Sequence, residues 1–93
     1  MDLADFQGTI ARTYAERDRA RGVPATVAWI AEEVGELAQA VRKGTPEQQR
    51  HELGDVLAWL ASLAVQLDLS LDEAAARYAG GCPRCHESPC TCP

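Results

Sequence analysis

Two runs of apolar residues at helical spacing, separated by a handful of turn residues, constrain this chain more than any other feature. Val27, Ile30, Val34, Leu37 and Val41 recur at intervals of three and four, and Leu53, Val56, Leu57, Leu60, Leu63, Ala64 and Leu67 do the same. Only Arg42 to Glu47 lies between the two patterns, with Gly44, Thr45 and Pro46 at its centre. So short a connection joins neighbouring helices antiparallel, and the pair reads as a hairpin with one core stripe on each arm. Thr45 is the expected N-cap of the second arm, with Pro46 at its first position and Gln48 closing a capping box.

The same two arms carry matched carboxylates. Glu33 and Glu36 are three residues apart, as are Glu52 and Asp55, so each pair projects from one face of its helix. At 100° per residue Glu33 lies roughly 70° and Glu36 roughly 130° from the centre of the first apolar stripe, whereas Glu32 points away from it. Pairing the arms about position 45 brings all four acids to one height, with Trp29 and Trp59 together at the same end. Four carboxylates that close repel one another and raise their own pKa values unless a cation intervenes. Mg²⁺ is a hard divalent cation that takes one or two carboxylates, waters and substrate phosphates, so the hairpin reads as an Mg²⁺ platform. An isolated Glu-x-x-Glu is ordinarily a solvated face; two matched pairs beside apolar stripes reverse that reading.

Glu-Glu-x-x-Glu at 32 to 36, followed by Glu-x-x-Asp at 52 to 55, resembles the signature of the MazG-type nucleoside triphosphate pyrophosphohydrolases over roughly residues 25 to 80. The resemblance implies an all-α, four-helix-bundle-like fold, made of the antiparallel hairpin and flanking helices. It also implies Mg²⁺-dependent hydrolysis, with Mn²⁺ as a substitute, of a nucleoside triphosphate to the monophosphate and pyrophosphate in a homodimer or higher homo-oligomer. Carried over by position, Glu33, Glu36, Glu52 and Asp55 are the implied metal ligands. Glu32 matches the first motif acid, and serves as general base only if another helix or subunit covers its side of the arm. Related activities share the motif, namely hydrolysis of phosphoribosyl-ATP or of one deoxynucleotide. A reading of another class is a non-catalytic, zinc-binding helical interaction module whose acids are vestigial.

Leu3, Phe6, Ile10 and Tyr14 form a narrow stripe on a first helix that should stop near Gly22 and Pro24, with Arg12, Glu16, Arg17, Asp18, Arg19 and Arg21 crowding its far end. Gln7 and Tyr14 are either ordinary surface and core-edge residues or reach a nucleotide. Arg42 and Lys43 suit a helix C-terminus, and are also candidate phosphate contacts. His51, beside the second acid pair, is read as a surface histidine. Trp29 and Trp59 are packing residues or walls for a base. Ser70 to Glu73 opens a short last helix through Tyr78, on which Arg77 is the basic candidate for a phosphate.

Residues 1–80 thus form the expected helical domain, and residues 81–93 a Cys-rich tail. Cys82, Cys85, Cys90 and Cys92 can supply four thiolates to one Zn²⁺, with His86 able to replace one of them. A disordered tail, a redox pair and an iron–sulfur ligand set are the alternatives. The net charge of −5 opposes binding to a nucleic-acid polymer. The absence of an N-terminal apolar run or a span-length segment leads to the expectation of a cytoplasmic protein with no membrane partner. In 93 residues a core is small, which favours sharing it with a second copy.

Overall fold

The computed structural model describes residues 1–93 and is built from helices alone. Helix α1 spans Leu3–Arg21, α2 Val23–Lys43, α3 Pro46–Gln66 and α4 Leu71–Ala75, the last running into a 3₁₀ turn over Ala76–Tyr78. The all-α hairpin architecture is as the apolar spacing requires. Helix α3 is central: it packs along both α2 and α1, which pack far less against each other.

Each boundary has a local cause. Gly22 is at once the C-cap of α1 and the N-cap of α2, with φ 88°, a left-handed conformation that glycine adopts without steric cost. Thr45 accepts from the Gln48 amide while the Gln48 side chain accepts from the Thr45 amide, so the expected capping box is formed in full. Only Gly44 and Thr45 remain between α2 and α3, which fixes the antiparallel pairing. Ser70 caps α4 by accepting from the Glu73 amide.

A polar knot holds the helices together near the α1–α2 turn. Asp18 is 1% exposed, its Oδ1 accepts from Arg21 Nη1 at 2.8 Å, and its carbonyl accepts from Gln66 Nε2 of α3 at 2.7 Å. Thr26, fully buried, donates to the Gly22 carbonyl. Gln7 is likewise structural, for its amide donates to the Leu69 carbonyl at 2.7 Å and accepts from the Leu71 amide at 2.8 Å. That clamp docks the start of α4 on α1 and uses both polar atoms of the side chain considered for nucleotide contact.

The core departs from the expected stripes. The buried set is Ile10, Ala40, Val56, Ala61 and Ala64 with Thr26, Ser62 and Asp18, most of them small. Helices meeting on small side chains approach closely, and the larger residues next in sequence are turned about 100° away. Val27, Val34 and Val41 on α2 are 50%, 47% and 64% exposed, Leu53, Leu57 and Leu60 on α3 are 58%, 40% and 40% exposed, and Leu67 at its C-cap is 46% exposed. The stripe read as core on α2 is therefore split, with Ile30 and Leu37 half-buried and the three valines facing outward. The accessible surface is 6715 Å². A compact 10.1 kDa monomer presents about 5,300 Å².

Candidate functional site

The carboxylates meet where α2 and α3 run side by side. Glu33 and Glu36 come from α2, Glu52 and Asp55 from α3, each pair one helical turn apart and carried on a rigid element. One oxygen from each of Glu33, Glu36 and Glu52 lies within 4.8 Å of the other two. Glu52 also belongs to a second group of the same compactness with Asp55 and His51. The four acids thus fall into two sets joined at Glu52.

The cluster is electrostatically unsatisfied. Desolvation pushes the Glu33 carboxyl above its ordinary range, and the negative charges of Glu36, Asp55 and Glu52 add to the shift. Glu33 Oε2 and Glu52 Oε2 are buried without any hydrogen-bond partner. Buried acceptors are ordinarily paired, and an unpaired one costs about 1–3 kcal/mol, more when charged. Two such oxygens turned into one carboxylate cluster fit a hard divalent cation, which is bound by oxygen ligands and cancels the repulsion.

His51, read from the sequence as a surface residue, is exposed, but its Nε2 lies 3.3 Å from Asp55 Oδ2. The signal for this contact was its spacing of four residues from Asp55 on one helix. Glu32 is exposed on α2 and stands outside both acid groups.

Two open clefts reach the acids from different sides. One, of about 380 Å³, is lined by Glu36, Gln39, Lys43, Gln48 and Glu52, and so sets Lys43 beside the cluster; Arg42 is exposed and does not line it. The other, of about 260 Å³ between α1 and α3, is lined by Tyr14, Arg17, Arg21, Asp55 and Trp59. Arg17 and Arg21 escaped the sequence reading because nothing in their spacing distinguishes them from the other charges at the end of α1. Trp29 and Trp59 stack at 5.8 Å and 10° between planes, and the Arg21 guanidinium lies 4.6 Å from the Trp59 ring centre. Trp29 keeps 44% of its surface open. Arg77 lies over the Tyr78 ring and borders the tail with Gly80, Cys82 and His86; it lines neither cleft at the acids.

A model of the MazG nucleotide pyrophosphohydrolase domain matches residues 21–86, well over half of the chain. The chain belongs to the MazG family. Comparison with curated proteins gave no match. The MazG match begins at Arg21, takes in the whole hairpin and α4, and continues through Cys82 and Cys85 to His86. MazG membership supports a nucleotide pyrophosphohydrolase activity, and the paired acids of α2 and α3 are the part of this MazG domain suited to a divalent metal.

Proposed function

We propose that this protein is an Mg²⁺-dependent pyrophosphohydrolase of nucleoside triphosphates, ribo- or deoxyribo-, releasing the monophosphate and pyrophosphate. The observation that carries the reading is the pair of buried, unpartnered oxygens, Glu33 Oε2 and Glu52 Oε2, within a four-carboxylate cluster shared by two helices. Glu33, Glu36, Glu52 and Asp55 hold the metal, Mn²⁺ being able to replace Mg²⁺. When bound, the ion neutralises the triphosphate and polarises the phosphorus that water attacks.

The chain's own residues do the rest. Lys43 reaches the phosphates from the cleft it shares with Glu36 and Glu52. Arg17 and Arg21 do so from the cleft on the Asp55 side. The open face of Trp29 offers a stacking surface for a base, its ring held in place by Trp59. His51, fixed against Asp55, is placed to accept the proton of the attacking water. Glu32 takes that role only if a second copy covers its exposed side.

The same reading includes a homo-oligomer. Val27, Val34 and Val41 on α2, and Leu53 and Leu60 on α3 with Leu67 at its C-cap, recur every seven residues and lie open. Heptad-spaced apolar seams suit a facing pair of helices. The surface in excess of a compact monomer is of the order of 1,400 Å², beyond the roughly 800 Å² that each partner gives to a standard interface. A second copy of this chain is the occupant we assign to that face.

The test is pyrophosphate release from a panel of ribo- and deoxynucleoside triphosphates and phosphoribosyl-ATP with Mg²⁺, comparing the intact protein with Glu36→Gln. Turnover lost in the variant and on chelation supports the reading, and the preferred substrate identifies the base and sugar. Equal, negligible release from both proteins on every substrate rules the hydrolase reading out.

A further inference from the structure

The hydrolase reading leaves the tail unused. After Tyr78 the chain forms no further helix, yet residues 81–93 fold back on themselves. The Cys82 amide donates to the Glu87 carbonyl at 3.1 Å and the His86 amide to the Cys82 carbonyl at 2.7 Å, closing a tight loop around Cys85. Gly81, at φ 98°, starts this loop, and a Cβ there would lie 2.9 Å from the Glu87 carbonyl oxygen. His86 takes the left-handed conformation at φ 61° although it is not glycine.

That backbone gathers four free thiols. The Sγ atoms of Cys82, Cys85, Cys90 and Cys92 all lie within 4.8 Å of one another, with Cys82 to Cys92 at 3.6 Å and Cys85 to Cys90 at 3.9 Å. Four thiolates around one tetrahedral Zn²⁺, at about 2.3 Å from the metal, stand about 3.8 Å apart. Backbone amides are directed at the sulfurs as well: Thr91 N lies 3.4 Å from Cys85 Sγ and Cys92 N lies 3.3 Å from Cys90 Sγ. N–H groups so placed stabilise thiolate charge and thereby orient metal ligands.

We propose that Cys82, Cys85, Cys90 and Cys92 bind one Zn²⁺ ion as a closed, four-thiolate structural site that shares no residue with the carboxylate cluster. Binding displaces the thiol protons to solvent, and four thiolates with one divalent ion leave a local charge of −2. All four positions are filled by protein sulfur, as in structural rather than catalytic zinc sites. His86 lies outside the compact group, so the ligand set is all sulfur. A four-iron cluster binds each thiolate to a different iron and spreads the sulfurs farther than one shared ion does. The tail contains no fully buried residue, so the ion takes the place of a core in holding residues 81–93 together.

The experiment is metal analysis of the full-length protein purified under reducing conditions, with the Cys85→Ser variant alongside and Co²⁺ exchange into the intact protein. The expected result is one zinc per chain, lost in Cys85→Ser while the helical circular dichroism persists, and a Co²⁺ spectrum with thiolate charge-transfer bands and strong tetrahedral ligand-field bands. The Co²⁺ spectrum tests the site even if the variant fails to fold. Substoichiometric zinc with four freely reactive thiols, iron in place of zinc, or an octahedral Co²⁺ spectrum would each overturn the proposal. None of these outcomes depends on whether the protein hydrolyses nucleotides.

Discussion

Glu33 concentrates the conflict between stability and function in this molecule. It is desolvated beside three other acids, which favours its protonated form in the folded chain. The contribution of that form to stability is fully present below the ordinary carboxyl value of 4.5 and is lost as pH rises from there through the raised value. Metal-free protein should accordingly melt lower as the pH is raised through this window, and Glu33→Gln should flatten the slope. At neutral pH the variant should gain about 0.5 kcal/mol, or about 2–4 °C in Tm, because solvent screens the repulsion it relieves. It should nevertheless lose pyrophosphate release. Mg²⁺ at a hundredfold excess over its Kd should stabilise the native protein by about 2.7 kcal/mol and leave Glu33→Gln nearly unchanged in a thermal melt. A variant destabilised without metal, or one protected by Mg²⁺ as well as the native chain, would contradict this account of the cluster.

At the scale of elements, α4 is the least secured helix. It has five residues, none fully buried, and is tied to α1 by the two hydrogen bonds of Gln7. Isolated helices of that length do not persist in water. Gln7→Ala should therefore cost about 1–2 kcal/mol and raise amide hydrogen exchange at Leu71 and Ala74, with the α2–α3 pairing protected as before. Exchange that rises equally across all helices would mean that α4 is part of the global folding unit. The opposite case is the α3 start, where Thr45→Ala removes half of a complete capping box at the hairpin turn. That substitution should cost about 1 kcal/mol by denaturant unfolding, with no change in the metal requirement of the reaction.

For the whole molecule the informative quantity is the imbalance between buried and open apolar surface. Eight of 93 residues are buried, and the radius of gyration is 15.3 Å, where a compact chain of this length has about 12 Å. Such a chain gains by sharing its outer seams. Val34→Glu combined with Leu60→Glu should convert an oligomer to a monomer in sedimentation velocity and lower Tm in a concentration-independent way, whereas the native Tm should rise with protein concentration. A native protein that sediments as a monomer with a concentration-independent Tm would remove the second copy from the proposed function.

The hairpin, the capped turn, the matched acid pairs and the four-cysteine spacing were all legible in the linear chain, because each depends on residues within one or two helical turns of one another. Periodicity sets which side chains share a face, and the two-residue turn sets which faces meet. What the linear pattern left open was the choice between neighbouring faces. Val27, Val34 and Val41 belong to the same apolar run as Ile30 and Leu37, but close packing on Ala40, Ala61 and Ala64 turned them outward. Contacts between distant positions were beyond reach in the same way. Gln7 against Leu69 and Leu71, Asp18 against Gln66, and Arg21 over Trp59 each join residues far apart in sequence. Local spacing determined the elements and the chemistry they carry; only the packing of three helices decided which groups are buried, which are left without partners, and which apolar seams stay open.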